Sequence, residues 1–474
     1  MGAQLHPNRA AVRWRYPKVK PMELPNFFII DTQPEARLTP SMVTEACRQL
    51  KRNRTQYLRD IPTAQTITLL AQLADNWRDD LFPFRKIALE AGQEATGFSP
   101  ASLARGLDEF FSRITEENLH NFMAQELGDS RRLDAPLGTP EERSDNRTAF
   151  ARGPELIGHI TAGNLPCPTL MSMVHGLLVG SAQFVKCAEG AGFIPRLFAH
   201  SVYHTHAKLG ACLELARWPG GDNPLEEALF KEADCIVAVG CDETLDAIRS
   251  RLPIGKRFLG HGHRVSFGYI HKDYLSRAMA RELAENAARD VAAWNQLGCL
   301  SPHVFYVERD GAVRPEQFAE MLSDAIDALE QSEPRGKISE AESGEIAHRR
   351  SFYEIRAAHT GDVRQWQSEG STAWTVVFEE EPQFATSCMN RFIHVKSVAD
   401  IDETLRAAEM ARGQVSTVGL AAPKSETEAI VIKLAHWGVT RVCPIGQMQN
   451  PPIGWRHDGR PTLGDLVTWT DWEQ

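Results

Sequence analysis

The chain has 474 residues, 42% of them hydrophobic and 24% charged, and a net charge of -10 at pH 7. Such a length exceeds one simple core and predicts two or three domains of a soluble globular protein. The acidic balance argues against a nucleic-acid-binding surface, and the lack of any run of about 18 apolar residues argues against a membrane span.

The nine cysteines are scattered, with no CxxC pair at metal spacing, so free thiols in a reducing, cytoplasmic setting are expected rather than a disulfide framework. Met1 to Lys20 carries Arg9, Arg13, Arg15, Lys18 and Lys20 without the apolar stretch of a secretory signal.

In chain order, the first 130 residues or so read as helical. Ser41 reads as an N-cap with Glu45 in the first turn, and Ile67–Trp77 and Leu103–Phe111 carry apolar residues at helical spacing. Leu133–Arg147 is polar and punctuated by Pro136, Gly138 and Pro140, so it reads as a loop. From Leu156 the pattern alternates. Strands are expected at Leu156–Ile160, Ala182–Lys186, Asp234–Gly240 and Arg257–Gly260, with helices near Pro168–Val179 and Arg196–Leu215 and from Asp242. That alternation predicts a doubly wound parallel sheet with crossover helices. A helix over Asp273–Val291 then leads to a cysteine loop and a strand around Val304–Val307, followed by a second α/β unit to about residue 430. Gln331–Glu345 reads as an acidic surface connection and Gly438–Trp472 as a loop-rich tail.

The run Trp294-Asn295-Gln296-Leu297-Gly298-Cys299-Leu300-Ser301-Pro302-His303 is the most informative stretch. Small and polar neighbours around Cys299 suit an exposed nucleophile, and a thiolate attacks a thioester or aldehyde carbon readily. The bland alternative is a buried small hydrophobe.

Other segments carry weaker signals. Ile160-Thr161-Ala162-Gly163-Asn164-Leu165-Pro166 ends a strand and opens a helix, and Asn164 is either an oxyanion donor or a helix cap. Lys186 ends the next strand and Glu189 lies just beyond it, where open α/β sheets bind ligands, and they could meet ribose hydroxyls or only solvent. Gly240 and Cys241 form a turn before a helix N-terminus, a place for a pyrophosphate, although no GxGxxG is present. Gly260-His261-Gly262-His263-Arg264-Val265-Ser266 could line a cofactor or substrate channel; no third metal ligand lies at a usual spacing from His261 and His263, so no metal is expected. His457, in Trp455-Arg456-His457-Asp458-Gly459-Arg460, reads as a structural or substrate-contacting residue in a site wall or an interface.

Together and in this order, these segments resemble the aldehyde dehydrogenase superfamily, and within it the acyl-CoA reductase branch of bacterial bioluminescence systems. The resemblance covers about residues 150 to 470. It implies an α/β, aldehyde-dehydrogenase-like fold with a helical N-terminal region (1–130), an NAD(P)-binding domain (131–269, with 431–474 returning to it) and a catalytic domain (270–430). It implies Cys299 as nucleophile, with Gln296 in its loop contacting substrate, and Asn164 as oxyanion donor. It further implies Thr161, Lys186, Glu189, Gly240 and Cys241 as cofactor contacts, with Glu381, in Glu379-Glu380-Glu381-Pro382, nearest the nicotinamide-ribose glutamate of a Glu-x-Phe-Gly-Pro segment. His261, His263 and His457 become candidate substrate contacts.

Hydrolytic members of the superfamily activate water with a glutamate upstream of the nucleophile. Here that position falls within Gly260–Ser266, which holds no carboxylate. The departure implies reduction of an acyl-coenzyme A or acyl-carrier-protein thioester to an aldehyde with NADPH or NADH, rather than oxidation to a free acid. The alternatives are an acyl-phosphate reductase, an ordinary aldehyde dehydrogenase, or a non-catalytic acyl-binding subunit. A homo-oligomer is expected.

Overall fold

The structure is a computed structural model that describes residues 24–33, 37–163 and 165–474. The basic stretch Met1–Lys20 and the candidate oxyanion donor Asn164 lie outside the described residues.

After one helical turn at Ile29–Thr32 come five longer helices, at Pro40–Asn53, Thr63–Trp77, Pro83–Thr96, Pro100–Ser112 and Glu116–Leu127. The first starts earlier than the sequence suggested: Thr39, not Ser41, is the N-cap, accepting from the Met42 N–H, and Pro40 takes the first helical position. Proline's fixed φ suits that position, where no backbone donor is needed.

The strands then run β1 (Arg147–Arg152), β2 (Leu156–Ile160), β3 (Ala182–Cys187), β4 (Leu213–Arg217), β5 (Cys235–Val239) and β6 (Arg257–His261). They continue with β7 (Val265–Ile270), β8 (Pro302–Glu308), β9 (Val363–Gln367), β10 (Thr375–Glu379), β11 (Phe392–Val398), β12 (Val415–Ala421), β13 (Arg441–Pro444) and β14 (Thr468–Glu473). The smaller sheet is parallel in the order β4-β3-β2-β5-β6; the larger has the order β13-β12-β7-β8-β11-β10-β9, with only β9 antiparallel. β1 and β14 form a separate antiparallel ribbon. Every residue of β2, β3, β8 and β11 is buried, as expected of parallel strands covered on both faces.

The chain leaves the smaller sheet at His261 and joins the larger at Val265. β13 also lies in the larger sheet, so of the tail only the part beyond it runs back toward the smaller one. The N-terminal helices share a core with the smaller sheet. Trp77 stacks on Phe111 with centroids 5.1 Å apart and donates through its Nε1–H to Ser201 Oγ at 2.9 Å.

Two further expectations change. The helix foreseen over Arg196–Leu215 ends at Thr205, is followed by a short helix Ala207–Gly210, and gives way to β4. Leu213-Glu214-Leu215-Ala216 has helix-forming composition, but the edge of a parallel sheet overrides propensity. The Glu214 carboxylate accepts from the Ile29 and Leu215 N–H groups, and burial pushes it up to about 7. Gln331–Glu345 is not one connection, because a helix runs to Ser332 and the next starts at Glu340 behind a capping box of Ser339 and Glu342. No described helix is long and apolar enough to cross a membrane.

Candidate active site

Cys299 follows a run of backbone that L-residues avoid. Trp294, Asn295 and Gln296 have φ of 52°, 52° and 63°, and a second such run, Met389–Arg391, lies beside it at 62°, 53° and 66°. Positive φ at non-glycine residues persists only where the surroundings enforce it. Here the Asn390 N–H donates to the Asn295 carbonyl at 3.0 Å. Gln296 Nε2 donates to the carbonyls of Pro302 (2.7 Å) and Phe392 (2.9 Å). Gln296 is thus a buried brace of the loop. Ser266 Oγ donates to the Cys299 carbonyl at 2.8 Å, and Gln449 Nε2 to Ser301 Oγ at 2.6 Å.

Cys299 lines a cavity of about 210 Å³. Its apolar wall includes Phe110, Met171, Val237, Leu259, Trp294 and Ile453; Arg113, Glu109, His159, His175, His261 and His457 add polar groups. The helix Cys167–Leu178, the ends of β5 and β6, the cysteine loop and the tail all contribute. Cys299 is only half-buried as a residue, but its thiol sits deep: burial first, then the Asp458 carboxylate, pushes it up to about 11. His159 Nε2 faces Gln183 Oε1 at 2.9 Å, while Gln183 Nε2 donates to the Met173 carbonyl, so the Nε2 of His159 carries the proton. Burial lowers His159 to about 4, so its ring is neutral.

Against this cavity stands a carboxylate–imidazole pair that joins two distant parts of the chain. His261, the last residue of β6, donates from Nδ1 to Asp458 Oδ2 at 2.9 Å, and Arg264 Nε donates to Asp458 Oδ1 at 3.0 Å. Burial alone would raise Asp458, but His261, His457 and Arg264 outweigh it and hold the carboxyl well below its usual range. His457 stacks on His261 with centroids 4.4 Å apart and planes at 8°, and burial lowers it to about 4. Atoms of His261, His457 and Asp458 all lie within 4.8 Å of one another, as metal ligands would. The carboxylate is already engaged by an N–H and a guanidinium, however, and parallel stacked rings do not aim their lone pairs at one point. The set is a hydrogen-bonded pair with a ring packed on it. His263, by contrast, is exposed and does not line the cavity.

The remaining candidates gather at the carboxyl ends of the smaller sheet. Its order reverses between β2 and β5, the switch point where open α/β sheets bind ligands. Thr161 follows β2, and its Oγ1 accepts from the Ala188 N–H and donates to the Lys186 carbonyl. Lys186 is 5% exposed, burial lowers its pKa, and its ammonium has no hydrogen-bond partner among the described residues. Glu189 is exposed just beyond. A lysine ammonium with no partner among the described residues, near an exposed carboxylate, suits the hydroxyls of a dinucleotide ribose.

The pyrophosphate end fits less well. The Gly240 N–H is already spent on the His261 carbonyl, Cys241 is exposed with its Sγ 3.1 Å from Thr244 Oγ1, and Asp242 and Glu243 put negative charge in the first helical turn. Glu381 is exposed after β10, whereas Glu379 is buried in ion pairs with Lys396 (2.8 Å) and Arg356 (2.6 Å).

The structure thus brings Cys299, His261 and His457 to one cavity, sets Thr161, Lys186 and Glu189 at one sheet edge, and leaves Gln296, His263 and Glu381 off the cavity wall. Sequence reasoning missed Asp458 as a partner of His261, 197 residues away; only the density of functional groups in its loop pointed there.

A family model described as acyl-CoA reductase (LuxC) matches residues 58–469. The chain belongs to that acyl-CoA reductase family. Among relatives of the family, a long-chain acyl-protein thioester reductase of Vibrio harveyi is 22% identical over 424 residues, covering 88% of this chain and 84% of that one. Among solved structures, a putative aldehyde dehydrogenase PutA from Anabaena variabilis aligns with a TM-score of 0.64 at 14% identity over 92% of this chain and 93% of that one. A bifunctional proline utilization A protein aligns with a TM-score of 0.69 at 17% identity over 92% of this chain, which spans 45% of that longer chain. The acyl-CoA reductase chain therefore has an aldehyde-dehydrogenase-like fold, and it is an oxidoreductase acting on acyl thioesters.

Proposed function

We propose that the protein reduces an acyl thioester, carried on coenzyme A or an acyl-carrier protein, to an aldehyde through an acyl group held on Cys299. The observation that carries this reading is the position of Cys299 on the wall of a largely apolar cavity, in a chain of the acyl-CoA reductase family. Phe110, Met171, Leu259 and Ile453 give a hydrocarbon chain a dry surface, and the strained, braced loop fixes the sulfur in the cavity wall. Cys299 Sγ attacks the thioester carbon, and the Cys299 backbone N–H with the Asn164 side-chain amide stabilises the oxyanion. The carrier thiol leaves and Cys299 keeps the acyl group. A bound nicotinamide dinucleotide supplies the hydride.

At the cofactor end, Lys186 and Glu189 hold the ribose hydroxyls, with Thr161 fixing the strand end beside them. Glu189 disfavours a 2′-phosphate, whereas Arg217, exposed at the end of β4, supplies a positive charge at the same end of the sheet. On that balance the cofactor is NADPH rather than NADH. The ranges 131–269 and 270–430 correspond in this reading to cofactor-binding and catalytic units. Trp472, 55% exposed on the β1–β14 ribbon, offers an apolar point for assembly into a homo-oligomer. All nine cysteines are free, which suits the cytoplasm.

The test is transfer of a radiolabelled acyl group to the protein from an acyl-coenzyme A. Label should appear on the wild type, be absent from Cys299→Ala, and leave as aldehyde when NADPH is added. Equal labelling of Cys299→Ala would overturn the assignment.

A further inference from the structure

A thiol held up to about 11 is ionised in only about one molecule in 10⁴ at pH 7. Acyl transfer at neutral pH therefore needs a group that removes the proton. We infer that His261, oriented by Asp458, takes the Cys299 thiol proton and delivers it to the departing thiol of the substrate. The inference rests on the acyl-transfer reading above and adds a catalytic residue to it.

Four observations support it. His261 and Cys299 line the same cavity. The Asp458 carboxylate holds the proton on His261 Nδ1, leaving Nε2 with a free lone pair, the tautomer a base requires. Arg264 binds the same carboxylate and lowers the Cys299 thiol, so it offsets part of the upward push that Asp458 gives it. His457 stacks on the ring as a neutral partner and limits its rotation.

In the step, the Cys299 S–H bond breaks and the proton passes to His261 Nε2 while Sγ bonds to the carbonyl carbon. The carbonyl becomes an oxyanion. When it collapses, the bond from carbon to the carrier sulfur breaks, and that sulfur takes the proton from His261. Nothing is oxidised or reduced. The charged and titratable groups facing His261 are Asp458, His457, Arg264, Arg460 (which donates to the Gly260 carbonyl) and His175.

The experiment measures the rate of Cys299 acylation by radiolabelled decanoyl-coenzyme A, without cofactor, from pH 6 to 9. It uses the full chain as wild type, His261→Gln and His261→Gly, with folding checked by circular dichroism. Both variants should acylate roughly 10²-fold more slowly or worse, the usual contribution of a general base being about 10²–10⁴. They should lose the lower inflection of the wild-type pH profile, and added imidazole should restore part of the rate in His261→Gly. Wild-type rates and profile in a folded variant overturn the inference. So does a slowed variant that keeps the inflection and ignores imidazole, because His261 would then only position the loop. Absence of label from the wild type would instead overturn the acyl-transfer reading.

Discussion

Replacing Glu379 with glutamine should weaken the larger sheet and leave cofactor binding intact. Glu379 is 3% exposed at the end of β10, and Lys396, 2% exposed, donates to it at 2.8 Å. Arg356 donates to its other oxygen at 2.6 Å. Burial pushes the carboxyl up, but His394 and Lys396 outweigh it and hold it at about 2, against an ordinary 4.5. At ~1.4 kcal/mol per pH unit, that difference is worth about 3 kcal/mol. Removing one partner of a buried ion pair costs about 3–5 kcal/mol, because the other charge is left unmatched. The two routes converge on a loss of about 3 kcal/mol at pH 7. The folded pKa lies below the unfolded one, so the contribution is full above an ordinary carboxyl pKa of 4.5 and fades as pH falls toward 2. Urea midpoints of wild type and Glu379→Gln should therefore differ clearly at pH 7 and approach each other below pH 4. The double variant Glu379→Gln/Lys396→Met should recover much of the loss. Cofactor affinity, followed by quenching of tryptophan fluorescence, should stay unchanged. An unchanged midpoint with weakened cofactor binding would refute the reasoning and make Glu379, rather than Glu381, the acidic contact near the nicotinamide.

A Cβ at Gly106 would lie 2.1 Å from the Trp294 ring, so Gly106→Val should displace Trp294 and the loop that carries Cys299. Steady-state kinetics should show kcat/KM falling roughly 10²-fold, the scale of a misplacement near 1 Å; an unchanged value would show that the loop is indifferent to its tryptophan. Asn164→Ala should slow reduction by roughly 10²-fold, the usual loss of one oxyanion donor, with thermal stability unchanged; equal rates would reduce Asn164 to a helix cap. Given an aldehyde and oxidised cofactor, the protein should form acyl-coenzyme A far faster than free acid. Free acid forming as fast without coenzyme A would mean that the His261–Asp458 pair activates water as well as thiols.

Much of the fold was legible because β5 reads as a short continuous apolar run and β2 and β3 as mostly apolar ones, each bounded by glycine and polar turns. β4 was not, since leucine, alanine and glutamate favour a helix locally and only the neighbouring strand makes an edge position for them. The first helix was displaced because Ser41 and Thr39 are both good caps, and the proline between them decides which serves. That Cys299 stands out was legible from its loop; that the loop lines a cavity and is braced from β11 was not. Gln296 read as a substrate contact because an amide beside a nucleophile suggests one, yet its Nε2 reaches two carbonyls, one of them in β11, 96 residues away.

Cys299 shows where sequence reasoning reaches its limit. Small and polar neighbours point to a thiol kept for chemistry, an expectation that needs only the local chain. They also suggest an exposed, easily ionised thiol, and in this respect the local chain misleads. Whether the sulfur is a thiolate at neutral pH depends on what surrounds it in space. The apolar wall comes from helices on either side, and the carboxylate that raises it further, Asp458, arrives from the tail. The same carboxylate holds His261 in the tautomer that can take the proton. In the step inferred above, one side chain thus makes the thiol harder to ionise and prepares the base that takes its proton. A cysteine governed in this way stays protonated and guarded from stray oxidants between turnovers, because the thiolate is the form they attack.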